Sequence, residues 1–413
     1  MKDGVKAEYH RARKILMHSP SDELFCGNLN YEAAAFEKPF NTQKAIEEHE
    51  NYVKTLENSN IKVFKVKDVL LDGVRPGNKE HKQLVDLVLS TGSFNYDTSK
   101  LNPDQRDLAN KVYHRTLENM TGDDLFTCLM TKPNVKLKPN QTSDTAFIAN
   151  YEFSPIMNLM FTRDQQITTD KGIIMGKMKL EHRTPETKIT KYVWNKLRVP
   201  VIYEISGNGT LEGGDFIPMD SYALIGQGLR TNSEGIEQLL NNGRDALGYE
   251  QIVVVKDEFQ NQDQMHLDTY FNVFSKRKAA MVEGRIKKEK GLKLYCDIYN
   301  KKDNGEFDSS KPDVTNADFV DYLRLEKGMT LVPITNEEQL NYGLNFLTIG
   351  HNEIIGVRNP NQSYLEKVRD QYKVCTKFLN LDSMISAYGG PHCTTQVFHR
   401  EPSIYGCHTE IDD

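Results

Sequence analysis

Between residues 173 and 357 the chain carries seven short apolar runs, each flanked by Gly, Pro or polar residues: Ile173–Met175, Val199–Ile205, Ala223–Ile225, Ile252–Val255, Ala279–Val282, Thr330–Val332 and Ile354–Val357. Runs this short are too brief for the 3.6-residue periodicity of a helix and read as buried strands. Helix signals lie between several of them. Thr231 with Glu234, and Thr335 with Glu338, have the spacing of a capping box ahead of an apolar stripe. Strand, helix, strand in recurrence predicts an α/β fold. The units do not repeat in sequence, so no fixed period is read from them.

The N-terminal part carries the same signals. Ile15–His18 reads as a strand, Asn41–Ser59 as a helix, and Ile61–Val66 as a second strand. Asn41 is placed to cap the helix, whose apolar face is Ala45, Ile46, Tyr52, Val53 and Leu56. From Asn78 to Pro139 helical periodicity takes over, with Leu84, Leu87 and Val88, then Leu108, Val112, Tyr113 and Leu117, then Leu125–Met130. This stretch is predicted to be a helical insert. Asp297–Asp313 is polar and reads as an exposed loop.

Composition excludes several partners. The 413 residues carry a net charge of -6, so there is no basic excess of the kind that binds nucleic acid. The densest basic run, Lys287, Lys288, Lys290 and Lys293 after Arg285, includes Glu289 and reads as a solvated face. No apolar stretch approaches the roughly 20 residues that span a bilayer, and Met1–Glu8 lacks the apolar core of a signal peptide, so no membrane is expected and a cytoplasmic location is. Six cysteines lie far apart without a CxxC pair, which predicts free thiols in a reducing compartment. Cys393, His399, Cys407 and His408 lack the paired short spacing of a structural zinc site, and no metal is expected.

Four segments place acidic, His or Cys residues beside Gly or at the mouth of a strand. They are Asn158-Leu-Met-Phe-Thr-Arg-Asp164, Leu211-Glu-Gly-Gly-Asp215, Met265-His-Leu-Asp-Thr269 and Gly389-Gly-Pro-His-Cys393. A planar cation with several N–H donors is held best by carboxylates around its plane, and Asp164, Glu212 and Asp268 are candidates. Attack on the poor electrophile at the centre of a guanidinium calls for a thiolate and a proton donor, which Cys393 and His266 offer. Singly, each has a blander reading. Asp164 would pair with Arg163 on a surface turn, Glu212 would be a loop acid, His266 would be satisfied by backbone, and Phe161 would be core. Arg183 and Arg230 would be surface charges in weak pairs.

Taken together and in this order, the four segments resemble the arginine deiminases of the guanidine-modifying superfamily, from about Ile15 to Cys393. The resemblance implies a five-bladed pseudo-symmetric α/β propeller, the pentein fold, with an inserted helical bundle. It implies a single catalytic domain over 1–413 with the insertion at 76–148, a feature typical of arginine deiminases and lacking in amidinotransferases and dimethylarginine hydrolases. The implied nucleophile is Cys393, with His266 as general acid and base and Glu212 as its partner. Asp164 and Asp268 match the carboxylates that grip the guanidinium. Asn158, Arg183 and Arg230 match residues at the amino-acid end of the substrate, Phe161 an aromatic on its stem, and Gly390 a substrate-binding position. The implied reaction is hydrolysis of L-arginine to citrulline and ammonia, with no cofactor, water as co-substrate, and a homo-oligomer as the assembly. Two departures stand out: Tyr388 replaces an arginine usual five residues before the nucleophile, and Phe25-Cys-Gly-Asn28 replaces an early Asp-Asp loop. Amidino transfer to an amine, hydrolysis of another guanidine, and guanidine binding without turnover are the alternatives.

Overall fold

All seven apolar runs form strands, and their pairing supplies the order that the sequence does not spell out. The computed structural model of the protein describes residues 3–140, 145–242, 247–358 and 362–402. One pattern occurs five times: an antiparallel pair of strands followed by a crossover to a parallel third strand. Gln166–Thr168 pairs antiparallel with Ile173–Met175, which pairs parallel with Val201–Glu204 after the helix Thr184–Leu197. Phe216–Pro218, Tyr222–Gln227 and Gln251–Lys256 repeat it, as do Phe271–Ser275, Lys278–Val282 and Thr330–Ile334. Leu347–Gly350, Glu353–Val357 and Cys375–Leu379 form the next unit. A tight turn can join antiparallel strands, but a parallel partner needs a long return, which is why a helix or extended segment sits at each crossover.

The remaining unit takes its strands from both ends of the chain. Gln396–Glu401 pairs antiparallel with Arg11–Met17, which pairs parallel with Lys62–Lys65 after the helix Thr42–Glu57. This closes a ring of five blades, the α/β propeller expected above. Asn41 caps that helix by accepting from Lys44 N, and Ala45, Tyr52, Val53 and Leu56 are buried on its inner face.

Several local expectations are corrected. The blade of Phe216–Pro218, Tyr222–Gln227 and Gln251–Lys256 continues through Tyr295–Asn300 and Val314–Asp318, so Asp297–Asn300 is strand and the polar loop narrows to 301–313. Polar residues sit there because the strand lies toward the sheet edge. The segment after Asn78 has its three helices, Lys79–Ser90, Pro103–Asn119 and Gly122–Thr131. It also has a separate sheet of Asn95–Asp97, Pro133–Pro139 and Phe147–Phe153, whose central strand buries Val135 and Leu137 at alternate positions. That two-residue alternation is too short to register beside three helical stripes. Thr335 and Glu338 form the predicted capping box. At the other helix Asn232 accepts from Gly235 N instead, while Thr231 Oγ1 accepts from Glu212 N.

Cys26, Cys128, Cys296 and Cys393 are free, but Cys375 is held in a disulfide, against the expectation of free thiols throughout. Spacing along the chain does not reveal which thiols a ring fold brings together. Cys407 and His408 lie outside the described residues. Among the described residues no helix is long and apolar enough to cross a membrane.

The blades converge on a buried charge cluster. Glu8 Oε1 accepts from Arg400 Nη2 at 2.5 Å and faces Arg163 Nη2 at 3.7 Å and His392 Nε2 at 3.4 Å. Burial alone would raise the Glu8 carboxyl, but the Arg400 and Arg163 guanidiniums outweigh it and hold it well below the usual range. Glu8→Ala leaves two buried guanidiniums without their shared anion, and it should cost about 3–5 kcal/mol of stability. Urea denaturation checks this, and a loss under about 1 kcal/mol would contradict a structural role for the cluster.

Candidate active site

Each blade carries its chemistry in the segment just before its first strand. Asp164 lies just before Gln166, Glu212 and Asp215 before Phe216, His266 and Asp268 before Phe271, Asn345 before Leu347, and Cys393 before Gln396. Five such segments, coming from far apart in sequence, meet near the ring centre. Backbone bonds tie neighbours together, with Arg163 N donating to Cys393 O at 3.1 Å and Gly213 N to Asp164 O at 3.0 Å. Close approach explains two glycines. A Cβ on Gly214 would stand 2.7 Å from His266 Nδ1, and one on Gly389 would stand 2.2 Å from the Phe161 ring.

His266 is buried and its Nε2 lies 2.9 Å from Glu212 Oε2, while Nδ1 faces Asp164 Oδ1 at 3.8 Å. The other Glu212 oxygen accepts from Lys179 N at 2.9 Å. Burial alone would lower the His266 imidazole, but the Asp164 charge and the Glu212 hydrogen bond prevail and raise it above the ordinary histidine range. Glu212 is lowered in turn, its burial outweighed by the hydrogen bond to His266 and by Arg183. Asp215, buried, is pushed up to about 7 by desolvation. Its Oδ1 accepts from Leu267 N at 2.9 Å and so anchors the segment that carries His266.

Cys393 Sγ lies 3.8 Å from Asp268 Oδ2 and receives a 3.0 Å bond from Asn345 Nδ2. Asp268 Oδ2 also accepts from His392 Nδ1 at 2.6 Å. Burial, then the charges of Asp268 and Asp164, push the thiol well above the usual cysteine range.

Cys393, His266, Asp164, Phe161, Asn158, Arg183 and Arg230 all line one small cavity. Glu212 and Asp268 stand behind it, touching His266 and Cys393 respectively. Gly390 belongs to the nucleophile turn, its N–H donating to Asn345 Oδ1 at 3.1 Å. Phe161 is buried against Gly389. Arg230 Nη2 reaches Gln262 Oε1 at 3.4 Å, and among the described residues its Nη1 is buried without a hydrogen-bond partner. Asp164 does not pair with Arg163, which turns toward Glu8. Arg183 is deeply buried instead of surface-exposed. Its Nη1 donates to Asp164 Oδ2 at 2.9 Å, its Nη2 to Glu186 Oε2 at 2.9 Å, and Glu212 Oε2 is 3.9 Å from Nη1. In this state the chain's own guanidinium occupies an acidic cradle. Donor atoms of Asp164, Glu212 and His266 lie within 4.8 Å of one another, close enough for a metal ion, but their charges are already matched by Arg183 and by one another.

Tyr388 has φ 76°, and its hydroxyl donates to Asp263 Oδ1 at 2.6 Å. It lines both the first cavity and a second of about 170 Å³, which also reaches Cys393 and carries Glu37 and Asp263 on its wall. Phe25–Asn28 lies within the helix Asp22–Asn28, with Phe25 exposed. Sequence reading missed Asn345, whose immediate neighbours Leu344 and Phe346 are apolar. It gave His392 no role although the residue lies in a quoted segment. The recurrence of a polar residue just before each first strand is the signal that locates Asn345 once the blades are known.

A family model described as arginine deiminase matches residues 34–400. An arginine deiminase of Streptococcus agalactiae serotype V is 26% identical over 421 residues, covering 96% of this chain and 98% of that protein. One of Halobacterium salinarum is 24% identical, covering 96% of each. The solved structure of a mutant dimethylarginine dimethylaminohydrolase from Pseudomonas aeruginosa complexed with citrulline is similar in fold, with a TM-score of 0.53 at 13% identity. It covers 94% of this chain and 100% of its own.

Because two carboxylates keep the His266 ring charged, Glu212→Gln should lower the midpoint of its imidazole titration, followed by NMR, by about one unit or more. A midpoint that stays in place would contradict the pairing.

Proposed function

Because the chain belongs to the arginine deiminase family, we propose that it hydrolyses the guanidinium of free L-arginine to L-citrulline and ammonia through a covalent amidino-cysteine intermediate on Cys393. The observation that supports this most is the cavity where Cys393 and His266 face acids already holding a guanidinium, that of Arg183. Carboxylates that accept Arg183 have the charge and spacing for a substrate guanidinium. The incoming cation replaces Arg183 on Asp164, and the freed Arg183 turns to the substrate carboxylate beside Arg230, whose Nη1 has no hydrogen-bond partner among the described residues. Asn158 and Phe161 flank the stem of the substrate, and Gly390 leaves room at the turn.

Positive charge near the sulfur offsets Asp268 and Asp164, so substrate binding lets the thiol release its proton to solvent, and the resulting thiolate attacks the guanidinium carbon. The S–C bond forms, the C–N bond breaks, and the raised imidazolium of His266 gives its proton to the departing ammonia. His266 then takes a proton from water, the new O–C bond forms, and the C–S electron pair returns to sulfur as citrulline leaves. Residues 1–413 act in this reading as one catalytic domain, with 76–148 as an insertion within it.

Amidino transfer to an amine is a second reading, favoured by one feature. The cavity beyond Tyr388 reaches Cys393 and carries Glu37 and Asp263, which suits a cationic amine. Product analysis with and without added amines separates the two: a new guanidino compound in place of citrulline supports transfer.

Cys393→Ala should lower citrulline and ammonia release at least about 1000-fold while arginine binding, measured by calorimetry, changes no more than a few fold. Retained turnover would overturn the reading. Arg230→Ala should raise KM for arginine on the order of 10-fold or more and leave the decarboxylated analogue agmatine nearly unaffected. An equal loss with both compounds would place Arg230 outside substrate recognition.

A further inference from the structure

Four of the five blades bring to the centre the residues already given roles, and the fifth brings Asn345. Its side chain is buried and makes three bonds to the nucleophile turn. Oδ1 accepts from Gly390 N at 3.1 Å and from Cys393 N at 3.2 Å, and Nδ2 lies 3.0 Å from Cys393 Sγ. Its backbone carbonyl accepts from His392 N at 3.2 Å. The orientation of the amide follows from the donors around it. Two backbone N–H groups point at one end, so that end must be the oxygen, and the NH₂ end must face sulfur.

We propose that Asn345 is a catalytic residue of this chain, its amide N–H stabilising the Cys393 thiolate while its oxygen fixes the turn that carries the sulfur. The inference rests on the reading that Cys393 is the nucleophile. The surroundings give the bond its purpose. Asp268 and Asp164 oppose negative charge on sulfur, and the first of these lies 3.8 Å away. A lysine or arginine in place of Asn345 would pair with Asp268 and compete with a cationic substrate. An amide supplies donors without net charge, so it steadies the thiolate and leaves the acids available. The same bond serves both halves of the reaction. It is strongest to the thiolate before attack, weakens once sulfur is a thioether, and returns as the C–S bond breaks and the electron pair goes back to sulfur.

The test needs no substrate. Alkylation of Cys393 by iodoacetamide, followed across pH by mass spectrometry of its peptide, reports thiolate formation, with half-exposed Cys26 as an internal reference. Asn345→Asp keeps an oxygen acceptor for Gly390 N and Cys393 N but replaces the donor with an anion, and Asn345→Ala removes both. For each variant, checked for folding by circular dichroism, the Cys393 midpoint should rise by about one to two pH units relative to wild type, with Cys26 unchanged. Midpoints within about 0.3 unit of wild type would overturn the proposal and leave Asn345 a structural clamp. Should both variants fail to fold, the wild-type protein decides: the Asn345 side-chain amide resonance, observed with ¹⁵N-asparagine labelling, should titrate with the Cys393 midpoint. An amide signal that does not titrate would overturn the proposal. A raised midpoint in a protein that does not hydrolyse arginine would sink the functional reading and leave the hydrogen bond standing.

Discussion

Carboxylates buried beside a thiol are unstable company unless a cation joins them, and the centre of this protein is organised around that fact. Asp164, Glu186 and Glu212 surround the Arg183 guanidinium, and Glu8 is shared by Arg400, Arg163 and His392. Buried charge of this kind is tolerated only when matched and hydrogen-bonded. The Glu8 cluster is buried and ties the chain termini to the ring. The Arg183 cluster opens on a cavity that also holds Cys393 and His266, and in the proposed reaction its cation is exchanged for the substrate's. A site that must hold some guanidinium to be comfortable is prepared for one that comes from outside.

The ring fold makes the site possible with short elements. Each blade buries its apolar strands, and the loop before its first strand is left free to present polar groups at the centre. No two of these groups need be close in sequence; Asn345 and Cys393 are 48 residues apart, and Cys393 and Asp268 are 125 apart. Precision comes from backbone bonds between the loops and from glycines at Gly214 and Gly389, where a side chain would strike His266 or Phe161. A tenth of a nanometre matters in such a site, because attack needs the reacting atoms held in line.

What could be read from the sequence was whatever leaves a local mark. The seven apolar runs were strands, Asn41 and the Thr335 box capped their helices, and the Gly-rich segments lie together around one site. Readings failed where the deciding partner was distant. Arg183, a surface charge if taken singly and a substrate-end residue by resemblance, is buried because Asp164, 19 residues away, accepts from it, and Asn345 has an ordinary neighbourhood in sequence that becomes special only opposite Cys393. Thr231 had the spacing of a cap but bonds Glu212 N, because neighbouring Asn232 serves the helix. The sheet of Asn95–Asp97, Pro133–Pro139 and Phe147–Phe153 was hidden by the helices before it, and the Cys375 disulfide left no trace in spacing.

The account turns on a sulfur at position 393 becoming bonded to the guanidinium carbon of arginine. Rapid acid quench of the enzyme with arginine labelled at that carbon, followed by peptide mass spectrometry, addresses this directly. The Cys393 peptide should carry the labelled arginine skeleton less one nitrogen, rising and decaying within a turnover. Label on another thiol, or citrulline forming with no labelled peptide at any quench time, would contradict it.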